Sequence, residues 1–272
     1  MSYLKNLEYA AAQPQEEKAN FLLIGSSGSG KTRLCGTAPG PILVHSFDPG
    51  GTKTLRAMLA QGTSKTKMFF DTSFEREDAA KPTAYKMWES CFRALSKEGV
   101  FNQIGTYVID SGTRFIEAIS NEILKQGGVG KSKSRAGEPL QLQDYQIQQL
   151  WTTRVLTELT NLPCNFIFTA HIEMTRDEVD GRMYATIHAS GKLKIKLPLL
   201  FDEVLVLKNK ETSAGTQRTL ITSVDGKLNA RTRIGAEGIF AKEEPPDIRA
   251  LLKKAGYPYE DKIEEKEEKE DV

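Results

Sequence analysis

The sequence predicts an α/β fold: a mostly parallel sheet flanked by helices, with antiparallel strands toward the C terminus. Three observations predict it. Short apolar runs stopped by Gly, Asp or His (NFLLIG, PILVHSF, TYVID, NFIFTAH) alternate with stretches of helical spacing, which is the pattern of βαβ units. One such run, Asn20–Gly25, leads through a glycine-rich loop into helix-forming residues. After residue 200 two further runs, Glu203–Lys208 and Arg218–Ser223, follow with no crossover helix between them. These later strands are therefore expected to extend the sheet in antiparallel fashion.

The elements follow in order. Met1–Lys18 reads as a loose lead-in with one short helix. Asn20–Gly25 is a buried strand, and Lys31–Cys35 opens a helix. Pro41–Phe47 is a second strand, turned by Asp48-Pro49-Gly50-Gly51. Lys67–Phe70 is a short third. Thr83–Leu95 sets Tyr85, Trp88, Cys91, Phe92 and Leu95 at helical spacing, so their first reading is core packing. Thr106–Ile109 is a strand ending at Asp110, and Arg114–Lys125 is helical. Gln126–Pro139 is glycine-rich, basic and poor in apolar residues, hence an exposed loop. Leu140–Leu162 is a long helical segment, and Asn165–Ala170 a fifth strand followed by His171. Ile172–Gly191 carries an Asp180-Gly181 hairpin turn. Pro246–Ala255 closes the fold as a helix, with proline near its start and Gly256 past its end. The expected organisation is a lead-in over 1–19, one domain over 20–258 and an acidic disordered tail over 259–272.

The bulk numbers narrow the class. A chain of 272 residues with 39% apolar and 27% charged residues suits a water-soluble globular domain. No apolar run approaches the roughly 20 residues of a bilayer span, and the N terminus has no apolar core of a secretory signal. The expected setting is the cytoplasm, with no membrane partner. Cys35, Cys91 and Cys164 show no metal-ligand spacing and no disulfide framework, so all three read as buried small hydrophobes. The net charge of +1 hides an asymmetry. Residues 260–272 hold eight of the 36 acids and three of the 37 bases, so the tail is −5 and the remainder +6. A mildly basic body with an acidic tail is compatible with a polyanion partner, although a solvated tail on an ordinary enzyme fits equally.

Chemistry enters at Gly25–Thr32, which reads GSSGSGKT and fits G-x-x-x-x-G-K-[ST] throughout. Gly25, Gly28 and Gly30 let backbone N–H groups, with those of Ser26, Ser27 and Ser29, wrap a β-phosphate without Cβ obstruction. Lys31 reaches the β- and γ-phosphates, and the Thr32 hydroxyl ligates magnesium. The motif therefore predicts ATP with Mg2+. Its second half should be an acid ending a buried strand, and TYVID supplies Asp110 as the magnesium-orienting carboxylate. Hydrolysis also needs a group that positions the attacking water. Asp48, at the end of the second strand, is the candidate, with a turn aspartate as the rival reading. His171 follows the fifth strand directly and either senses the γ-phosphate or is a hydrogen-bonded structural histidine.

This order of parts resembles the RecA-like P-loop ATPases, and among them the phage nucleotide-binding proteins whose better-known members are single-strand annealing recombinases. The carrying segments are GSSGSGKT, HSFDPGGTKTL, TYVIDSGTR, FIFTAHIEM, FDEVLVL and the helix ending KKAGYP. The resemblance implies a catalytic set of Lys31, Asp48, Asp110 and His171. It implies ATP-dependent binding of single-stranded DNA by a homo-oligomeric ring or filament, in the host cytoplasm if phage-encoded. A single-strand DNA-binding protein is a further implied partner. The implied DNA loops carry Lys131, Lys133 and Arg135, and Arg176 and Arg182, whose charges would neutralise phosphates. A basic finger from a neighbouring subunit is also implied, with Lys192, Lys194, Lys196, Arg231 and Arg233 as candidates. Two departures stand out. RecA itself has glutamate where Asp48 stands, and Tyr184 is the one aromatic residue in the two loops. The alternatives are a nucleotide-dependent switch or a motor ATPase acting on a protein partner or duplex DNA, and a small-molecule kinase.

Overall fold

A computed structural model describes residues 18–128, 133–176, 183–213, 215–225 and 228–262. The elements run β1 (Asn20–Gly25), α1 (Lys31–Cys35), β2 (Ile42–Ser46), α2 (Lys53–Ala60), β3 (Met68–Asp71), α3 (Ala84–Lys97), α4 (Val100–Gln103), β4 (Thr106–Asp110), α5 (Gly112–Lys125) and α6 (Asp144–Thr160). They continue with β5 (Asn165–Arg176), β6 (Met183–Ile187), α7 (Leu193–Lys196), a 3-10 turn (Leu197–Leu200), β7 (Glu203–Thr212), β8 (Gly215–Ile221), β9 (Glu243–Glu244) and α8 (Ile248–Lys254). Among these residues one sheet has the order β3-β2-β4-β5-β1-β7-β8-β9, and β6 pairs with the outer half of β5.

The alternation of side chains along buried strands divides the core in two. On one face Leu22, Tyr107, Ile109, Phe166 and Phe168 pack under α3, α5 and α6, with Trp88, Phe92 and Phe115. On the other, Phe21, Leu23, Val108 and Ile167 pack with Leu34, Leu55, Ile248 and Leu252 of α1, α2 and α8. A strand covered on both sides is apolar on both faces, which is why Phe21–Ile24, Ile42–Val44 and Tyr107–Ile109 of β1, β2 and β4 read as unbroken runs. Both end strands of the site, β1 and β4, lie in the sheet with β5 between them. A phosphate loop after β1 and a carboxylate after β4 are thereby set at the same sheet end, the ligand-binding end of parallel strands.

Three expectations need correction. Glu203–Lys208 was expected to be antiparallel, yet β7 runs parallel to β1, in the register Phe21–Glu203 to Gly25–Leu207. The short α7 and the 3-10 turn carry the chain back across the sheet and serve as the crossover. The antiparallel portion starts one strand later, with β8 on β7 and β9 on β8. The fifth strand does not stop at Ala170 but continues to Arg176, and residues Ile172–Arg176 pair with β6 as a hairpin. The Asp180-Gly181 turn itself lies outside the described residues, as do most of the lead-in (1–17) and the tail from 263. Residues 259–262, read as the beginning of the tail, pack on the body. Asp261 accepts from the Gly40 amide and from Arg249, and the Lys262 amide donates to the Gly40 carbonyl at 2.7 Å.

Candidate nucleotide site

The site is built from the ends of four strands. After β1 the chain turns through Gly28 (φ 75) and Gly30 (φ 103), left-handed conformations that favour glycine, and enters α1. The Lys31 ammonium folds back onto its own loop and donates to the Gly25 carbonyl at 2.8 Å and the Ser26 carbonyl at 2.9 Å. Burial lowers the Lys31 pKa, opposed by the charges of Asp110 and Asp48. The Ser29 hydroxyl is buried with no hydrogen-bond partner. A Cβ on Gly25 would lie 2.5 Å from that hydroxyl oxygen, so the loop closes this tightly because Gly25 has none.

At the end of β4, Asp110 is buried and doubly held. Thr32 of α1 donates to one carboxylate oxygen at 2.6 Å, and Thr169 of β5 donates to the other at 2.5 Å. Burial pushes the Asp110 carboxyl up from the usual range, while these two hydroxyls pull it back. The next residue, Ser111, caps α5 through its side chain and the Arg114 amide.

Asp48 and His171 come together at the same end. His171 Nε2 lies 3.9 Å from one Asp48 carboxylate oxygen, and Arg114 Nε lies 3.7 Å from the other. Thr113 holds this part of β5, accepting from the His171 amide at 3.1 Å. Burial first, and then the Lys31 charge, lower the His171 pKa, so the imidazole is biased neutral. Asp48 and His171 are each about one third exposed, at 31% and 35%. They line an open side where a water can enter.

Sequence reading missed three residues here. Glu75, just past β3, accepts from Ser46 Oγ at 2.7 Å and from the Gly50 amide at 2.9 Å, and so fixes the turn that carries Asp48. Arg114 reaches Asp48 from α5. Arg218 of β8 lays its side chain over Gly30, where a Cβ would lie 2.9 Å from its Cδ and Nε, and that Nε is buried without a partner. None of the three has a local motif; each arrives by strand order and helix packing. A cleft of about 440 Å³ touches Ser26 and runs along Ile172, Met174, Leu207 and Asn209.

The residues fit a nucleoside triphosphate with magnesium. The orphaned Ser29 hydroxyl, the positive-φ glycines and an ammonium held only by loop carbonyls are donors without an anion. Thr32 and Asp110 offer the oxygen donors that Mg2+ prefers.

The expected polyanion loops are less uniform. Lys131 and Arg182 lie outside the described residues. Lys133 is exposed. Arg176 ends β5 and is exposed. Arg135 requires a correction. It donates to the buried Asp144 carboxylate at 2.8 Å, to Glu138 at 3.0 Å and to the Pro139 carbonyl at 3.2 Å. Its guanidinium therefore pins the loop to the start of α6 instead of facing a phosphate. Of the basic-finger candidates, Arg231 donates to the Pro198 and Phe201 carbonyls at 2.9 Å, and Arg233 contacts Asp202 at 3.3 Å.

Among the described residues no helix is long and apolar enough to cross a membrane. No curated protein matches the sequence. Solved structures with a similar chain path include a KaiC-like protein from Pyrococcus horikoshii OT3, at 13% identity and TM-score 0.40, covering 80% of this chain and 82% of that one. The flagellar accessory protein FlaH from Methanocaldococcus jannaschii is 7% identical with TM-score 0.44, over 84% of each chain. An ATPase of the type III secretion system of pathogenic bacteria is 19% identical with TM-score 0.44, over 71% of this chain and 51% of that one. The family described as AAA domain matches residues 17–234, well over half of the chain. With its phosphate loop and strand-end carboxylate at one end of a mostly parallel sheet, the chain belongs to the AAA domain family and is a P-loop ATPase.

Proposed function

We propose that this ATPase binds single-stranded DNA in an ATP-dependent manner and acts in phage-type recombination by strand annealing. The observation that carries the proposal is the continuity of β5. One strand of 12 residues holds Thr169 and His171 at the ATP site and then runs out to Arg176 in the hairpin with β6. A change at the γ-phosphate felt by His171 would thus be carried along one continuous strand to the exposed Arg176.

In this reading Lys31 exchanges its loop carbonyls for phosphate oxygens and neutralises charge that develops there. Gly25 to Thr32 wrap the phosphates, and Thr32 and Asp110 would hold Mg2+, which would offset the negative charge of the phosphates when bound. Asp48, braced by Arg114 and the Glu75-fixed turn, orients the attacking water. Lys133 and Arg176, together with Lys131 and Arg182 on the flanking segments, neutralise DNA phosphates. The ATPase unit spans 20–258, and it works in the cytoplasm, the host's if the chain is phage-encoded. A second copy completes the assembly. Ile195 and Leu199, 63% and 59% exposed on α7 and the following turn, offer an apolar patch beside Lys192, Lys194 and Lys196.

The test is fluorescence anisotropy of a labelled oligonucleotide, with and without a slowly hydrolysed ATP analogue. Nucleotide-dependent binding is expected, falling steeply with salt. Lys133→Glu should weaken it roughly tenfold and reduce the salt slope by about 1. A wild-type protein that binds no strand at low salt in either state would shift the function to the switch on a protein partner.

A further inference from the structure

Sequence spacing gives the cysteines no metal partners, but the fold does. His45 of β2, Asp71 of β3 and Cys91 of α3 each bring a ligand atom within 4.8 Å of the other two. They sit beneath α3 near the sheet edge, three strands away from β1. We propose that His45, Asp71 and Cys91 form a site for a zinc-class transition-metal ion, separate from the magnesium donors Thr32 and Asp110.

The donor set decides the class. A thiolate, an imidazole and a carboxylate suit zinc or cobalt, whereas magnesium and calcium want oxygen. Bonds of about 2.0–2.3 Å at tetrahedral angles place ligand atoms roughly 3.3–3.8 Å apart. The Cys91 sulfur already lies 3.9 Å from an Asp71 oxygen, and the remaining pairs, within 4.8 Å, need to close by at most about 1.5 Å. No hydrogen bond or ion pair joins His45 to Asp71. The two are too far apart to satisfy each other and near enough to share one ion.

The surrounding residues orient these ligands. Trp88 Nε1 bonds the Tyr107 hydroxyl at 2.9 Å, and that hydroxyl bonds His45 Nδ1 at 2.8 Å. This polar chain runs through a core that is otherwise aromatic, and it holds the ring with Nε2 left for a metal. Asp71 is fixed likewise: its Oδ1 accepts from the Ser73 amide at 2.9 Å, and Oδ2 turns to Cys91. A pocket of about 530 Å³ lined by Asp71, Ser73, Ser90 and Cys91 opens onto the cluster, giving an entry path and room for a water as fourth ligand. A bound ion would clamp the four-residue edge strand β3 and helix α3 to β2, three residues before Asp48. The site stands independently of the DNA proposal.

The experiment is cobalt(II) titration of the full chain with the phosphate site saturated by magnesium. One equivalent should give tetrahedral d–d bands and a thiolate-to-cobalt charge-transfer band, both bleached by zinc. Cys91→Ser should abolish the charge-transfer band and weaken zinc at least about 100-fold, whereas Lys31→Ala should retain the band. Cys35 and Cys164 are buried away from any cluster, so the band reports Cys91. A wild-type titration without a charge-transfer band overturns the site however the variants fold, and so does a band that survives Cys91→Ser.

Discussion

Replacing Lys31 with alanine should lower ATP turnover by about two to three orders of magnitude and leave the fold intact. The ammonium is nearly buried, at 7% exposure, and is held by two carbonyls of its own loop. Those carbonyls satisfy it without neutralising it, so it is poised to move to an anion. Its removal takes away a positioned charge at the reacting phosphate, an effect of about 3–4 kcal/mol on the barrier. Removing it from the folded protein also removes the cost of burying an ammonium, so stability should change by less than about 1 kcal/mol. Steady-state phosphate release, beside circular dichroism and thermal unfolding, checks both halves. Turnover within about threefold of wild type would show that the charge is not used in the reaction.

Gly112→Ala should be the most damaging single-methyl change near the site. A Cβ at Gly112 would fall 2.1 Å from Cε1 and Cζ of Phe168, and Phe168 is fully buried between the sheet and α5. The backbone at Gly112 is ordinary, so the penalty is packing alone. Overpacking of this kind costs about 1–3 kcal/mol, more where neighbours cannot move. Phe168 precedes Thr169, the partner of Asp110, so turnover should fall with stability. Urea unfolding gives the first effect. The double variant Gly112→Ala, Phe168→Leu should recover part of the loss, because leucine vacates the clashing position. A fully additive double variant would place the cost elsewhere.

What could be read from the sequence followed from physics local to the chain. GSSGSGKT specifies its own loop, and the strands buried on both faces are mostly apolar, so β1, β2 and β4 fall within about a residue of expectation. Features that depend on distant partners were not legible. β7 is parallel because a short crossover, Leu193–Leu200, is enough to carry the chain across, and no long amphipathic segment advertises it. β5 runs on to Arg176 because β6 pairs with it, although the residues there alternate apolar and polar. Arg135 looked like a free cation among glycines and serines; its partner Asp144 lies nine residues on, at the first turn of α6. Glu75, Arg114, Arg218 and the His45–Asp71–Cys91 cluster are products of register and helix placement, which no spacing in the chain encodes.

The most direct test is ATP hydrolysis by the full chain at low salt, with and without single-stranded DNA, beside Lys31→Ala. Hydrolysis by wild type should rise several-fold with the strand and lose that rise as salt screens the phosphate contacts, and the variant should be slower by about two to three orders of magnitude. Hydrolysis that depends on Lys31 but is indifferent to the strand, with no nucleotide-dependent strand binding, would contradict the DNA function and leave the ATPase standing.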